Sequence, residues 1–366
     1  MATYDMTKLA NLIDPEVFAD YVEQKYVDKG VFTALATIDT TLEGSAGSTL
    51  KFPSYQYIGA SAVVDEGDEI STSKLEATPV SVSVKKIAKG IEISDESMLS
   101  ALGNPMEEGA SQVATSLADY TDSDLKAAIE DANVLRFVVN SITSDTLIDA
   151  LALWGEDLND KPIAFVTDNK GLASLRKDDD YINGSEIQTD AMIRGTIGQI
   201  WGANIIPSNK VTNGGGYLIK QGALRIVSKR GINAETQRNA SRKTTSLFAD
   251  KIYAPYVYKA QDIIVLEKHT SVTDISAKIE SVEGKTSGGT VINYADLIKL
   301  CPANCSLVYK LGSADVTFNR GTALTGYTEL TADEIAGGTS TKIAIAIVDA
   351  DDKPVYGGNA TLVKKS

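Results

Sequence analysis

The chain has 366 residues, 43% hydrophobic and 23% charged, enough for one large domain or two ordinary ones, and this balance excludes a disordered or fibrous chain. A formal net charge of −14, from 49 acidic against 35 basic residues, argues against a protein that grips nucleic acid by neutralising phosphates. No apolar run approaches the roughly 18–20 residues of a membrane-spanning helix, and the opening MATYDMTKLANLIDPEVFADY lacks the apolar stretch of a secretory signal, so a cytoplasmic origin is expected.

Residues 1–45 read as an arm with one helix. Asp14 is placed to cap it, Pro15 to open it and Glu16 to occupy its first turn, with Val17, Tyr21, Val22 and Tyr26 at helical spacing and an end near Gly30. Residues 46–94 change period to that of strands. GSTLKFPSYQYIG and ATPVSVSVKKIAKGIEIS are two β-type runs, and in the second Val80, Val82 and Val84 alternate with Ser81, Ser83 and Lys85. Between them ASAVVDEGDEISTSKLE is acidic and turn-rich, which makes the whole an extended hairpin with a charged tip. A lone hairpin is marginal in water, and nothing nearby in sequence offers it a face, so a neighbouring subunit is the expected support.

Residues 95–139 return to helix. Asn104 and Pro105 fit the cap and first position, and Glu107 and Glu108 suit the positive end of the helix dipole. Ala110, Val113, Ala114, Leu117, Ala118, Thr121, Leu125, Ala128 and Ile129 form one stripe, which predicts a helix of about 25–30 residues lying on a sheet. In 140–270, TLIDALALWGEDL and NKGLASLRKD read as helices, the latter capped by Asp168 or Asn169. QTDAMIRGTIGQIWG reads as a helix broken by Gly195 and Gly198. PIAFVT, NIIPSNKV, YLIK and ALRIVSKR read as strands, NGGGY as a hairpin turn between the second and third of these, and FADKIYAPYVYKAQDIIVLEK as one long ribbon. Without regular βαβ repetition the fold class is α+β. Residues 271–366 alternate short β-type runs with Gly, Thr, Ser and Asp, the texture of a small mainly-β, Ig-like sandwich domain, although the Ig-type Cys–Trp–Cys signature is absent.

The residues that carry chemistry are few. Cys301 and Cys305 in CPANC cannot build a disulfide framework and read as small buried hydrophobes. With the single histidine, His269, they lack the spacing of a zinc finger. One histidine, no GxSxG elbow and no GxxxxGK[ST] loop leave no recognisable enzyme; catalytic, cofactor and metal sites are all expected to be absent. Asp178, Asp179 and Asp180 read as solvated charge. Lys229, Arg230, Arg238, Arg242 and Lys243, the densest basic stretch, read as a solvated or subunit-facing cluster.

The order of these features resembles the tailed-bacteriophage major capsid protein family, whose fold is shared with the herpesvirus capsid floor and encapsulins. GSTLKFPSY resembles the outgoing strand of that family's extended loop, IGASAVVDEGDEISTSKLE its tip, and VSVSVKKIAKGIEISDESM the returning strand. GNPMEEGASQVATSLADYTDSDLKAAI resembles the spine helix. DKPIAFVTDNKGLASLRKD, IRGTIGQIWGANIIPSNKV, YLIKQGALRIVSKRGINAETQRNASRKTTSLFADKIYAPYVYK and DIIVLEK resemble the axial domain and the closing strands of the peripheral domain. The resemblance spans about residues 10–270 and rests on succession; no single motif is diagnostic.

The resemblance implies a division into arm (1–45), extended loop (46–94), spine helix (95–139), axial domain with closing strands (140–270) and a decoration domain (271–366). It implies a structural protein, self-assembling through hexamers and pentamers into an icosahedral shell that encloses double-stranded DNA without sequence-specific binding. Portal, scaffold and decoration proteins are the further partners, no membrane is involved, and assembly takes place in the host bacterial cytoplasm. The expected inter-subunit contacts are Lys51, Phe52, Asp65, Glu66, Asp68, Glu69 and Lys74, the acidic tip facing basic residues of the neighbour. Some capsids of this type form Lys–Asn crosslinks, for which Lys51 and Lys74 are placed as donors. The chain departs from some members in having no long N-terminal scaffolding segment and in carrying 271–366, whose removal should then leave a chain that still forms shells. The competing readings are an encapsulin-like compartment, a β-rich surface adhesin and an enzyme with an unfamiliar site.

Overall fold

The structure is a computed structural model, and the residues it describes are Val22, Lys25, Tyr26, 30–44, 46–55, Val63, Thr72, Lys74, 77–100, 105–159, 161–178, 198–211, 214–285, 287–336 and 339–365. In chain order they form α1 (Phe32–Leu35), β1 (Thr37–Asp39), β2 (Thr49–Tyr55), β3 (Ala77–Ser83), β4 (Lys85–Ser94), α2 (Asp95–Ser100), α3 (Pro105–Asp131) and β5 (Leu135–Val138). There follow α4 (Ser144–Leu151), β6 (Ile163–Thr167), α5 (Asn169–Leu175), β7 (Gln199–Ile200), β8 (Ala203–Pro207), β9 (Gly216–Lys220), β10 (Leu224–Asn239), β11 (Thr244–Val257) and β12 (Ile263–Glu267). The last stretch is β13 (Thr273–Asp274), β14 (Ser281–Glu283), β15 (Gly289–Ile292), α6 (Tyr294–Ile298), β16 (Ser306–Gly312), β17 (Thr328–Glu329), β18 (Glu334–Ala336), β19 (Lys342–Val348) and β20 (Pro354–Thr361).

Two compact units divide the chain, Met1–Ala128 with Leu224–Tyr258 and Ile129–Ala223 with Lys259–Ser366. In the first, β1, β10, β11 and β4 make a four-stranded sheet in that order. The helix α3 starts at Pro105, where a missing N–H costs nothing, with Glu107 and Glu108 in its first turn. Its stripe falls where the spacing predicts: Ala110, Val113, Ala114, Leu117 and Ala118 are buried against Leu247 and Ala249 of β11 and the half-buried Ile87, Ile91 and Ile93 of β4. Small residues let the helix approach the sheet closely. A Cβ on Gly109 would stand 2.1 Å from Ile91 Cδ1. Asn104 lies outside the described residues; so does the arm helix, except for Val22, Lys25 and Tyr26, which are helical.

In the second unit a six-stranded mixed sheet runs β5-β12-β9-β6-β8-β7. Every residue of β6 and β9 is buried, as in a sheet covered on both faces. The flanking helices are capped as their sequences allow. Thr143 and Thr146 form a capping box on α4, and Asp168 accepts from the Gly171 N–H at 2.7 Å to cap α5. The same unit holds a five-stranded sheet, β13-β20-β19-β16-β17, and a three-stranded sheet, β14-β15-β18, around a core that includes Ile292, Leu297, Leu307, Ile343, Ile345 and Ile347.

Several expectations are corrected. NGGGY joins no hairpin: β8 and β9 flank β6, parallel and antiparallel respectively, and the glycine loop passes over the end of β6, where Thr167 Oγ1 donates to the Gly215 carbonyl at 2.8 Å. The supposed single ribbon is two strands, β11 and β12, in different sheets, parted by a 3-10 turn at Ala260–Asp262. Residues 188–197 of the broken-helix reading lie outside the described residues, as do Asp179 and Asp180, but Gln199–Ile200 is strand. Asp178 is not merely solvated, since its carboxylate accepts from the Ser144 N–H at 2.5 Å. The short helix α6 was not anticipated within a segment of β texture.

Candidate assembly interface

The strands β2 and β3 pair only with each other among the described residues, from Thr49 opposite Ser83 to Tyr55 opposite Ala77. Pro53 stands directly opposite Pro79, so that rung offers no N–H to an approaching strand. The base of the hairpin does have a face in its own chain, which corrects the expectation that none exists. Val82 is buried and Leu50, Phe52 and Val84 are half-buried against Leu42, Val227, Ala254 and Tyr256. The Phe52 ring stacks on Tyr256, centroids 4.9 Å apart and planes 7° from parallel. Lys51 and Lys74 are exposed. The tip residues Asp65, Glu66, Asp68 and Glu69 lie outside the described residues.

The sheet and helix of the same unit are tied together by three carboxylates, Asp122 and Asp124 of α3 and Asp250 of β11. Asp122 of α3 is buried and accepts from the Val31 N–H at 2.7 Å, the Thr33 N–H at 2.9 Å and the Thr33 hydroxyl at 2.8 Å. Two residues on, Asp124 pairs with Lys85 of β4 at 2.7 Å and accepts from the Tyr253 hydroxyl of β11 at 2.6 Å. The buried Lys251 donates to the Tyr26 hydroxyl at 2.9 Å and sits over the Tyr26 ring. Asp250 pairs with Lys86 at 3.3 Å and with Arg230. Its burial raises the carboxyl's pKa, but hydrogen bonds from Asn233 and Lys86 and the Arg230 charge bring it below the usual carboxylate range. With Arg238 bonded to Asp95 at 2.6 Å and Lys229 donating to the Gly47 carbonyl, three of the basic residues marked in sequence serve their own unit. Arg242 and Lys243 are exposed on the turn after β10.

At the start of the last segment Glu267 collects partners. Arg136 of β5 pairs with one oxygen; the Tyr356 hydroxyl donates to the other at 2.8 Å, and His269 Nε2 lies 3.0 Å from it. Burial alone would raise this carboxyl, but the bonds from His269 and Tyr356 and the Arg136 charge hold it at about 2. The histidine is thus engaged in the hydrogen-bonded cluster around this carboxylate. Burial pushes the thiols of Cys301 and Cys305 up to about 11 and about 12, so both are protonated at neutral pH and poor nucleophiles. Among the described residues no group of three or more His, Cys, Asp or Glu could hold a metal ion, and no helix is long and apolar enough to cross a membrane.

A family described as phage capsid protein matches residues 77–262, from the returning strand of the hairpin to the last turn before β12. The major capsid protein of Staphylococcus phage phiMR11 is 33% identical over 268 residues, covering 72% of this chain and 96% of that protein. Solved structures agree in fold. A chain of Mycobacterium phage Che8 superposes with a TM-score of 0.53 at 18% identity, covering 65% of this chain and 91% of its own. The capsid structure of Cyanophage P-SCSP1u gives 0.54 at 16% identity, with 65% and 88% covered. That of Helicobacter pylori bacteriophage KHP30 gives 0.51 at 12%, with 65% and 91% covered. The extended hairpin, the long helix on its sheet and these matches place the chain in the phage capsid protein family, as a bacteriophage major capsid protein whose copies assemble into the shell of the virion.

Proposed function

We propose that copies of the chain assemble through hexamers and pentamers into an icosahedral shell around double-stranded DNA, in the bacterial cytoplasm, and that the chain performs no catalysis. The observation that carries this reading is the hairpin: a two-stranded ribbon, Thr49–Tyr55 paired with Ala77–Ser83 and anchored at its base by Phe52 on Tyr256, with a long stretch of sequence joining its two strands. A ribbon of that kind gains stability when laid on another surface, and in a many-copy shell the nearest surface is the next subunit. Lys51 and Lys74 and the acidic Asp65, Glu66, Asp68 and Glu69 make the contacts there, while Phe52 fixes the angle at which the ribbon leaves its own subunit. The acidic tip sets register against basic residues of the neighbour, giving specificity more than affinity. Each contact is modest, and closed symmetry makes the sum large. Portal, scaffold and decoration proteins complete the particle, and the net charge of −14 keeps the wall from adhering to its DNA.

Sedimentation velocity tests the hairpin's part. The chain with Asp65, Glu66, Asp68 and Glu69 all replaced by Lys should stay folded by circular dichroism and sediment as a monomer where the parent sediments as capsomers or shells. Unchanged assembly of that variant would contradict the role assigned to the tip.

A further inference from the structure

The strand β5 lies at one edge of the six-stranded sheet, paired on its inner side with β12 in parallel register from Leu135 opposite Ile264 to Val138 opposite Glu267. The Val139 N–H donates to the Glu267 carbonyl at 2.8 Å, so alternate residues turn their polar backbone inward. By the same alternation Arg136 and Val138 turn theirs outward. An exposed row of that kind is a template on which another chain can pair.

The loop that carries CPANC meets this row. The Ala303 N–H donates to the Arg136 carbonyl at 2.8 Å. The Asn304 side chain accepts from the Val138 N–H at 2.8 Å through Oδ1 and donates to the Val138 carbonyl at 2.8 Å through Nδ2. A side-chain amide thus presents the same acceptor and donor that a residue of a pairing strand would present. Only asparagine among small side chains has both groups at this length; aspartate lacks the donor and alanine lacks both. The loop is held in shape from behind. Pro302 is buried, the Cys305 N–H closes a turn on the Pro302 carbonyl at 3.0 Å, and Cys301 and Cys305 pack against the apolar core of the last segment. On either side of the plug the same two parts are tied again, by Tyr356 to Glu267 at 2.8 Å and by Arg320 to Asn140 at 3.3 Å.

We propose that the loop 301–305 is a built-in plug for the β5 edge: the Asn304 amide occupies the place that a strand of a second copy of the chain would otherwise take, and so guards the subunit against edge-to-edge association. Residues 271–366 are then a fixed part of the subunit rather than a detachable ornament, and removing them strips the cover from β5. This runs against the expectation that the shortened chain behaves like the parent. The plug rests on contacts within the second unit and does not depend on how copies pack in the shell.

Hydrogen exchange and sedimentation of the full chain carrying Asn304→Ala or Asn304→Asp test it. In N304A the Val138 amide should exchange about tenfold faster, while those of Leu218 in β9 and Ile345 in β19 keep their rates, and the protein should form irregular sheet-rich aggregates. N304D, which keeps the acceptor, should retain most of the Val138 protection. Unchanged Val138 exchange in N304A overturns the proposal. So does a rise at Val138 only in step with Leu218 and Ile345, which would mean that Asn304 merely stabilises the fold. Faster Val138 exchange without added association would overturn the guarding role.

Discussion

Asp122 Oδ1 accepts from both the backbone N–H and the hydroxyl of Thr33, at 2.9 and 2.8 Å, across 89 residues of sequence. With the Val31 N–H on Oδ2, one buried carboxylate fastens the segment that leads into α1 onto the long helix. Asp122→Ala strands three donors, two of them buried, and should cost about 3–5 kcal/mol. Asp122→Asn keeps one acceptor and should cost about 1–2 kcal/mol. Urea unfolding of both variants checks the order; equal stability of Asp122→Ala and the parent would show that this fastening contributes nothing.

At Gly109 α3 lies close against β4, and the missing Cβ makes room for Ile91 Cδ1. Alanine in a helix gains about 1 kcal/mol over glycine, while overpacking costs about 1–3 kcal/mol. Gly109→Ala should therefore destabilise by about 1 kcal/mol in the parent and be neutral or stabilising in an Ile91→Val background, where the clashing methyl is gone. A double-mutant cycle by thermal melting reads the coupling, and strict additivity would contradict the contact.

The Phe52–Tyr256 stack makes the hairpin base a graded test. Phe52→Leu keeps most of the apolar area and loses the ring pairing, costing about 0.5–1.5 kcal/mol. Phe52→Ala loses both and should cost about 2 kcal/mol. Melting temperatures should rank parent, Leu, Ala. No difference among the three would mean that the base is not held by its own subunit.

Acid should loosen the tie between β12 and the last segment. The Glu267 carboxyl has a folded pKa of about 2 against an ordinary 4.5, because the bonds from His269 and Tyr356 and the Arg136 charge outweigh its burial. Folding thus favours the ionised form. Its contribution is complete above about pH 4.5 and is lost as the pH falls to about 2, and amounts to about 3 kcal/mol. Stability measured from pH 5 to pH 2 should fall by about that much in the parent, with a flatter slope in Glu267→Gln. Identical slopes would contradict the assignment.

What was legible in the sequence was local. The start of α3 at Pro105 and its apolar stripe follow from capping and a 3.6-residue period, and the β2–β3 pairing follows from alternation of small polar and apolar residues. What was hidden depends on strands distant in sequence. NGGGY looks like a turn between two strands until β6 is seen to lie between them, and no period along the chain records that insertion. Asp122 sits next to the stripe residue Thr121 and reads as a polar interruption; its partners are Val31 and Thr33. CPANC draws attention for its thiols, yet the residue that acts is the asparagine between them, whose partner Val138 is 166 residues away. At the hairpin base most of the covering face comes from β10 and β11, more than a hundred residues downstream, with Leu42 the local part of it.

Negative-stain electron microscopy of the purified full chain across a salt and concentration series tests the central claim most directly. Closed, roughly spherical shells, or discrete six- and five-membered rings, are the predicted result. A monodisperse monomer under every condition, persisting when the chain is co-expressed with its neighbouring genes, would contradict it.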